Sequence, residues 1–173
     1  MSRATSRMRL VRGDITRLTT DAIVNAANRR LEPGGGVCGA IHRAAGPKLA
    51  RACRELGECA PGEARITPGF ELPSPHVIHA VGPVWQGGDR NEAQVLCNAY
   101  RSALRVARDH SLRSVAFPAI STGIYRFPLE QAARIAVRCV AEWLAEEPEF
   151  DEVLFAVISD DAERTYRRAL ALR

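Results

Sequence analysis

Long hydrophobic runs are missing from this 173-residue sequence. No apolar stretch approaches the roughly 20 residues that a transmembrane helix requires, and the N-terminus lacks the apolar segment of a secretory signal. Residues 1–7 show no apolar pattern, so they are expected to form a flexible tail that precedes a single domain over residues 8–173. These absences predict a cytoplasmic protein with no membrane contact.

Lysine is also scarce, because Lys48 is the only lysine among 24 basic residues. The formal net charge is +4, and a basic balance favours anionic partners such as phosphates, nucleotides or nucleic acid. The basic residues are spread along the sequence and no long run of them stands out, which makes nucleic acid a weaker expectation than a small phosphate-bearing ligand. A steep salt dependence of RNA binding would be the sign of the nucleic-acid alternative.

The sequence has no C-x-x-C pair, and its five cysteines are an odd number. Cys53 and Cys59 stand six residues apart, which does not fit a zinc knuckle. The expectation is therefore that the cysteines other than Cys38 are reduced, mostly buried thiols, with no metal site.

Apolar periodicity alternates between strand and helix spacing along the chain. Strands are predicted at residues 8–11, 22–27, 64–67, 77–81, 115–117 and 153–158. One helix is predicted from residue 37 or 38 to residue 45, and a second helix follows it and ends at Gly57. Further helices are predicted at residues 92–108, 128–144 and 162–172. This alternation predicts an α/β sandwich with helices on both faces of the sheet.

Two loops combine small and polar residues at the ends of predicted strands. The first contains Asn25 and Asn28 and continues through the glycines of residues 34–36, and the second covers residues 121–125 (STGIY). Ligands of α/β folds bind beyond the carboxyl ends of strands, and glycines before a helix leave N–H groups free to bind phosphate. The pair of loops favours a diphosphate, in a pocket between residues 25–38 and 121–127.

Residues 34–39 (GGGVCG) fit the pattern G-x-G-x-x-G, so a nicotinamide-binding unit is an alternative. The glycines stand several residues beyond the strand end, whereas that fingerprint needs a tight strand–turn–helix. No second nucleotide-binding half follows, and the phosphate-loop pattern G-x-x-x-x-G-K-[ST] is absent. The alternative is therefore the weaker one.

Several polar residues near these loops have both a functional and a structural interpretation. Asn25 and Asn28 interrupt an apolar run, so their amides either bind ribose hydroxyls or close local turns. Asp14 either accepts a hydrogen bond from an adenine amine or caps a turn. His42 stands four residues after Cys38, on the same helix face, either at the pocket edge or at the helix surface.

Taken together, six sequence stretches resemble the macrodomain family, and within it the MacroD-type ADP-ribosylhydrolases. They occur in family order and span nearly the whole chain. They are residues 13–16 (GDIT), 21–28 (DAIVNAAN), 34–37 (GGGV), 39–42 (GAIH), 77–83 (VIHAVGP) and 116–123 (AFPAISTG).

The resemblance implies a three-layer α/β/α sandwich around a central mixed sheet. It implies that ADP-ribose binds with its adenine on Asp14 beside Ile15 and with its distal ribose on Asn28, packed by Tyr125. The remaining implied ligand contacts are Asn25, Gly34, Gly35, Gly36, Val37, Ser121, Thr122, Gly123 and Ile124.

Members of this subgroup cleave the ester that joins ADP-ribose to acidic side chains, and many deacetylate O-acetyl-ADP-ribose. The implied partners are ADP-ribose, O-acetyl-ADP-ribose and mono-ADP-ribosylated proteins. The resemblance implies neither a metal nor another cofactor, and we expect a monomer because no apolar stripe is left over.

The sequence departs from the subgroup at Cys38, where an Asp that orients or activates the attacking water is usual. Pro33 followed by three glycines replaces a run of four glycines, and Arg126 replaces a common Gly. The candidate catalytic residues are Asn28, Cys38 and His42, with the diphosphate of the substrate as the alternative activator of water. A non-catalytic reader of ADP-ribose is the alternative function, because a neutral thiol is a poor base.

Overall fold

The computed structural model describes residues 3–172, and Met1, Ser2 and Arg173 lie outside the described residues. The strands are β1 (Met8–Arg12), β2 (Ala22–Ala27), β3 (Ala64–Pro68), β4 (His76–Val81), β5 (Ser114–Phe117) and β6 (Glu152–Val157). The helices are α1 (Gly36–Ala45), α2 (Pro47–Leu56), α3 (Glu92–Asp109), α4 (Leu129–Glu146) and α5 (Asp160–Ala171). The predicted strands and helices are all present, and two short 3-10 helices, Thr5–Arg7 and Ile15–Arg17, were not predicted.

Over residues 3–172 the strands form one six-stranded sheet in the order β1-β6-β5-β2-β4-β3. Neighbouring strands are parallel, except that β3 runs antiparallel to β4. The sheet is therefore mixed, and the carboxyl ends of β1, β6, β5, β2 and β4 share one edge.

Each face of the sheet packs against its own layer of helices. On one face, Leu96 and Tyr100 of α3 and Val140 of α4 belong to one buried cluster with residues of α5. On the other face, Ile41 of α1 and Leu49 of α2 lie in a second cluster. These are the apolar stripes of amphipathic helices, and the three-layer α/β/α sandwich is confirmed.

The N-terminal residues differ from the expected flexible tail. Ala4 is only 7% exposed and belongs to the core beneath α3 and α4. The Arg7 guanidinium donates to the carbonyls of Leu144, Glu147 and Phe150 at distances of 2.5–2.9 Å. The last carbonyls of a helix lack partners within it, so Arg7 supplies hydrogen bonds at the C-terminal end of α4.

Two cysteines also depart from the expectation of reduced thiols. Cys97 of α3 and Cys139 of α4 form a disulfide with a Cα–Cα distance of 5.8 Å. Cys53 and Cys59 are free and buried, as expected, and Cys38 is also free and buried. None of the helices over residues 3–172 is long and apolar enough to cross a membrane.

Candidate functional site

A cavity of about 200 Å³ lies at the carboxyl ends of β2, β4 and β5. Strands β2 and β5 are neighbours in the sheet. The chain leaves β2 toward α1 on one face and leaves β5 toward α4 on the other. Connections that diverge in this way open a crevice between the strand ends, which is where ligands bind in α/β sheets.

Most of the predicted ligand contacts line this cavity. They are Asn28, Gly34, Gly35, Gly36, Val37, Cys38, Ser121, Gly123, Ile124 and Tyr125. Sequence reasoning missed small and apolar wall residues that lie at or beyond the strand ends, namely Ala26, Ala27, Gly82, Ala119 and Ile120. The cavity lining does not include Asp14, Ile15, Asn25, Thr122 or His42.

The glycines of residues 34–36, called the Gly loop below, lead directly into α1. Gly35 is the N-cap of this helix, and Gly36 has a φ of +56°, which favours glycine. A side chain on Gly39 would collide with the carbonyl of Gly34, so the loop packs closely on the first turn of α1. The first N–H groups of a helix have no partner within it and form the positive end of its dipole, so this wall suits an anion.

The loop of residues 121–127, called the Ser loop below, forms the opposite wall. Its Ser121 is 6% exposed, and no group within residues 3–172 bonds its buried Oγ. Among the same residues, no acceptor pairs with the N–H groups of Ser121, Gly123, Ile124 or Tyr125. A hydroxyl and several N–H donors without partners beside a cavity form a second place for an anion.

The backbone of the Ser loop is strained at two positions. Ser121 has a φ of +67° and Arg126 a φ of +62°, values that cost energy in residues other than glycine. Hydrogen bonds from Arg126 N–H to Gly123 O (3.0 Å) and from Phe127 N–H to Ser121 O (2.9 Å) close the loop in this conformation. Strain of this kind is concentrated at binding sites, where it holds donors in place before the ligand arrives.

A buried carboxylate, Glu92, supports the Ser loop from behind. Its side chain is 1% exposed and accepts hydrogen bonds from the N–H groups of Gln86 (2.8 Å), Gly88 (2.9 Å) and Arg90. Burial acts to raise the pKa of Glu92, but these bonds outweigh burial and lower it to about 2. Trp85 directly precedes the residues that Glu92 holds, and its N–H donates to the carbonyl of Tyr125 (2.8 Å) in the Ser loop.

Asn28 lines the cavity, and its amide also shapes the cavity wall. Its Nδ2 donates to the carbonyl of Glu32 (2.9 Å), and its Oδ1 accepts from the N–H of Glu32 (3.0 Å). This pair of bonds closes the turn that leads into the Gly loop. Loss of the Asn28 amide would therefore free the Gly loop as well as remove a polar group from the cavity.

Cys38 lies at the cavity end of a buried polar network. Asn25 faces α1 from β2, is 1% exposed, and donates to the Sγ of Cys38 (3.7 Å) and to Nδ1 of His79 (3.1 Å). On the far side of the ring, Nε2 of His79 meets Oγ1 of Thr67 (3.0 Å). Burial lowers the pKa of His79 to about 3, so the ring is neutral. Asn25 therefore positions Cys38 from beneath the cavity.

His42 is separated from the cavity by the Gly loop. It is 8% exposed and lines a different groove, which shares only Gly34 with the cavity. Burial lowers the pKa of His42, and neither ring nitrogen has a hydrogen-bond partner within residues 3–172. The predicted candidates Cys38 and His42 thus contact different spaces.

Asp14 and Ile15 lie farther along the same sheet edge, after β1. The Oδ1 of Asp14 accepts from the hydroxyl (2.7 Å) and the N–H (2.9 Å) of Thr16, and these bonds lower the pKa of Asp14. Strand β6 separates β1 from β5, so about 10 Å of sheet edge lies between the cavity and Asp14. Ile158 follows β6 on this edge and is 79% exposed.

The Macro domain family model matches residues 24–136, a segment that contains both loops and the cavity. The chain belongs to the Macro domain family. Among relatives of this macrodomain, a Macro domain-containing protein of Chlorobaculum tepidum is 57% identical over 161 residues, or 93% of this chain and 94% of that protein. A protein named O-acetyl-ADP-ribose deacetylase from Klebsiella pneumoniae is 53% identical over 166 residues, or 94% of this chain and 95% of that protein.

Solved structures of other macrodomains superpose on most of this one. The Trypanosoma brucei macrodomain in complex with ADP-ribose aligns with a TM-score of 0.92 and 43% identity, over 98% of this chain and 72% of that one. The Oceanobacillus iheyensis macrodomain with ADP aligns with a TM-score of 0.89 and 42% identity, over 94% of this chain and 89% of that one. The family match and the structural alignments therefore lead to the same fold.

Proposed function

We propose that this macrodomain binds ADP-ribose with the diphosphate between the Gly loop and the Ser loop. The observation that carries the proposal is the set of unpaired N–H donors and the buried, unpaired Ser121 hydroxyl on one wall, opposite the N-terminus of α1 on the other. No Asp or Glu lines the space between them, so a diphosphate meets donors without a competing carboxylate. The ADP-ribose complex of the T. brucei macrodomain supports the same ligand class.

The size of the cavity favours different places for the two halves of the ligand. Its volume of about 200 Å³ is below the roughly 300–1,000 Å³ of sites that enclose a drug-sized ligand. The cavity would therefore enclose the diphosphate and the distal ribose, beside Asn28 and Cys38. The adenosine half would lie along the open sheet edge, between the carboxylate of Asp14 and the exposed side chain of Ile158.

We further infer that the chain hydrolyses an ester on the distal ribose. Water adds to the acyl carbon, the bond from that carbon to the ribose oxygen breaks, and the products are ADP-ribose and a free carboxylic acid. None of the residues that line the cavity is Asp, Glu or His, and Cys38 is a weak base as a neutral thiol. The base would then be the diphosphate of the substrate, held by the two loops. The name of the K. pneumoniae relative supports this reaction class.

The experiment that tests the function follows two signals from the wild-type protein. Release of ADP-ribose is measured from a glutamate-linked mono-ADP-ribosylated protein and from O-acetyl-ADP-ribose, and binding of free ADP-ribose is measured by calorimetry. Binding together with turnover is expected. Tight binding without turnover would make the chain a reader, the alternative that Cys38 favours, and absence of both would refute the proposal.

Gly123→Leu tests the position of the diphosphate. A Cβ on Gly123 meets no atom within 4 Å and its φ is not in the left-handed region, so the leucine extends into open space at the cavity without straining the fold. We expect ADP-ribose affinity to fall at least about tenfold, or about 1.4 kcal/mol, with no change in melting temperature. The matched control is Ala145→Leu on an exposed position of α4. Unchanged affinity in Gly123→Leu would remove the Ser loop from the site.

A further inference from the structure

Positive charge is concentrated in one segment of the chain. Residues 29–54 contain six basic residues and one acidic residue, Glu32, for a net +5, whereas the whole chain carries +4. The rest of the chain therefore carries a net −1. The basic residues are Arg29, Arg30, Arg43, Lys48, Arg51 and Arg54. This segment includes the Gly loop, α1 and nearly all of α2, so one helical layer of the sandwich is basic.

The basic side chains of this segment are free to bind a partner. All six are exposed. Every ion pair found within residues 3–172 joins residues outside the segment 29–54. Their charge is thus not neutralised by an ion pair among these residues, in contrast to that of Arg101, Arg108 and Arg134 on the opposite helical layer.

A groove with a volume of about 390 Å³ lies in this basic layer, directly behind the Gly loop. Gly34 lines both the groove and the candidate ADP-ribose cavity, so the two spaces lie on either side of one loop. Arg43 and Pro47 line the groove, and Lys48 and Arg51 each follow a lining residue in sequence.

Two ionisable groups of the protein lie beside this groove. The carboxylate of Glu71 lies against Gly46, at the N-cap of α2. His42, 8% exposed and with both ring nitrogens unpaired, lines the same groove. The Glu71 carboxylate thus pairs with the positive end of α2, which leaves the exposed basic side chains as the charge that a partner of this layer meets.

We propose that this groove and the surrounding basic layer bind the acidic polypeptide segment that carries the ADP-ribose group. The inference rests on the proposed function, because it assigns the substrate's protein part a place behind the loop that would hold its diphosphate. Charge complementarity carries it: glutamates and aspartates that flank a modified acidic residue would meet Arg43, Lys48 and Arg51.

The test compares the affinity of free ADP-ribose with that of ADP-ribose joined through an oxime, which resists ester hydrolysis, to a glutamate-rich peptide. We expect the wild type to bind the conjugate more tightly than free ADP-ribose and more tightly than a conjugate with glutamine in place of glutamate. In the variant Arg43→Ala/Lys48→Ala the advantage of the acidic peptide, measured as the ratio of the affinities for the glutamate and glutamine conjugates, should fall about tenfold. The loss is no larger because each charge pair at an exposed site is weak and is screened by salt. Affinity for free ADP-ribose should stay the same.

The matched control is Arg105→Ala/Arg168→Ala, which removes two exposed arginines of α3 and α5 that have no ion pair within residues 3–172 and should leave the advantage intact. Equal affinity of the glutamate and glutamine conjugates, or an equal loss in the control, would overturn the proposal. A short RNA that binds this layer and displaces the acidic conjugate would also overturn it, by making the surface a nucleic-acid site. Failure of the wild type to bind free ADP-ribose would instead refute the proposed function, and this inference with it.

Discussion

At the scale of single residues, the thiol of Cys38 lies where the wall of the cavity meets the buried amide of Asn25. Its Sγ accepts from the Asn25 amide at 3.7 Å and lies 3.6 Å from the Glu32 carbonyl, to which it donates. The thiol is therefore held in place at the edge of the cavity, with its proton directed to a backbone oxygen. Such a thiol contributes shape to the wall of the site but not a strong base.

Replacement of Cys38 by Asp should raise the hydrolysis rate if the absent base limits turnover. A carboxylate at this position would still accept from the Asn25 amide, and a general base contributes about 100-fold or more to such reactions. The measurement is kcat for O-acetyl-ADP-ribose in Cys38→Asp and in Cys38→Asn. Asparagine has nearly the same shape as aspartate but no basic group. Equal rates in the two variants would show that the side chain at position 38 does not act as a base.

The direction of each side chain separates Asn25 from Asn28. Side chains alternate between the two faces of a strand, and Asn25 lies on the same face of β2 as Ile23 and Ala27, toward α1 and α2. Asn28 follows the last residue of the strand and reaches the cavity. Two asparagines in one motif therefore have different positions, one beneath the site and one in its wall.

At the scale of elements, the disulfide ties together the two longest helices. Cys97 is 5% exposed and Cys139 is 0% exposed, so the bond lies inside the α3–α4 interface. It closes a loop over a sequence separation of 42 residues. Cross-links of this kind stabilise chiefly by restricting the unfolded chain.

Reduction of this disulfide should lower the free energy of unfolding by about 2–4 kcal/mol. Titration of the denatured, non-reduced protein should find three free thiols rather than five. Chemical unfolding with and without reductant measures the loss of stability, and the variant Cys97→Ser/Cys139→Ser should show no response to reductant. Five free thiols in the native preparation would contradict the disulfide.

At the scale of the whole molecule, buried neutral histidines connect stability to pH. His79 has its pKa lowered to about 3 by burial and by the nearby His42, and burial also lowers the pKa of His42. Once unfolded, both side chains return to the ordinary value of 6.5. Below pH 6.5 the unfolded state therefore binds protons at these two histidines, whereas the folded state keeps them neutral until a lower pH.

Stability should be greatest above pH 6.5 and should fall as pH decreases from 6.5 toward 3. Each of the two histidines contributes a slope of about 1.4 kcal/mol per pH unit where only the unfolded state is protonated. Urea unfolding at pH 7.5, 6 and 5 measures the slope, with His110→Gln as a control at an exposed position. A stability that does not change between pH 7.5 and pH 5 would show that these histidines are not buried and neutral.

The sequence by itself determined the elements, the layers and the two loops that face each other. Apolar spacing is a local property, so the strands and helices and their burial on both faces of the sheet could be predicted from it. Glycines before α1 and the residues of the Ser loop likewise predicted the two walls of the cavity, because the backbone donors belong to short segments.

Only the tertiary structure decided which polar side chains share a space. It placed Asn25 on His79, His42 in a groove behind the Gly loop, and Gly82 against Ser121. It joined Cys97 to Cys139 and bonded Arg7 to the end of α4. These contacts join residues that are far apart in sequence. The strand order and the helix packing that bring them together are properties of the assembled sheet, and no local pattern encodes them.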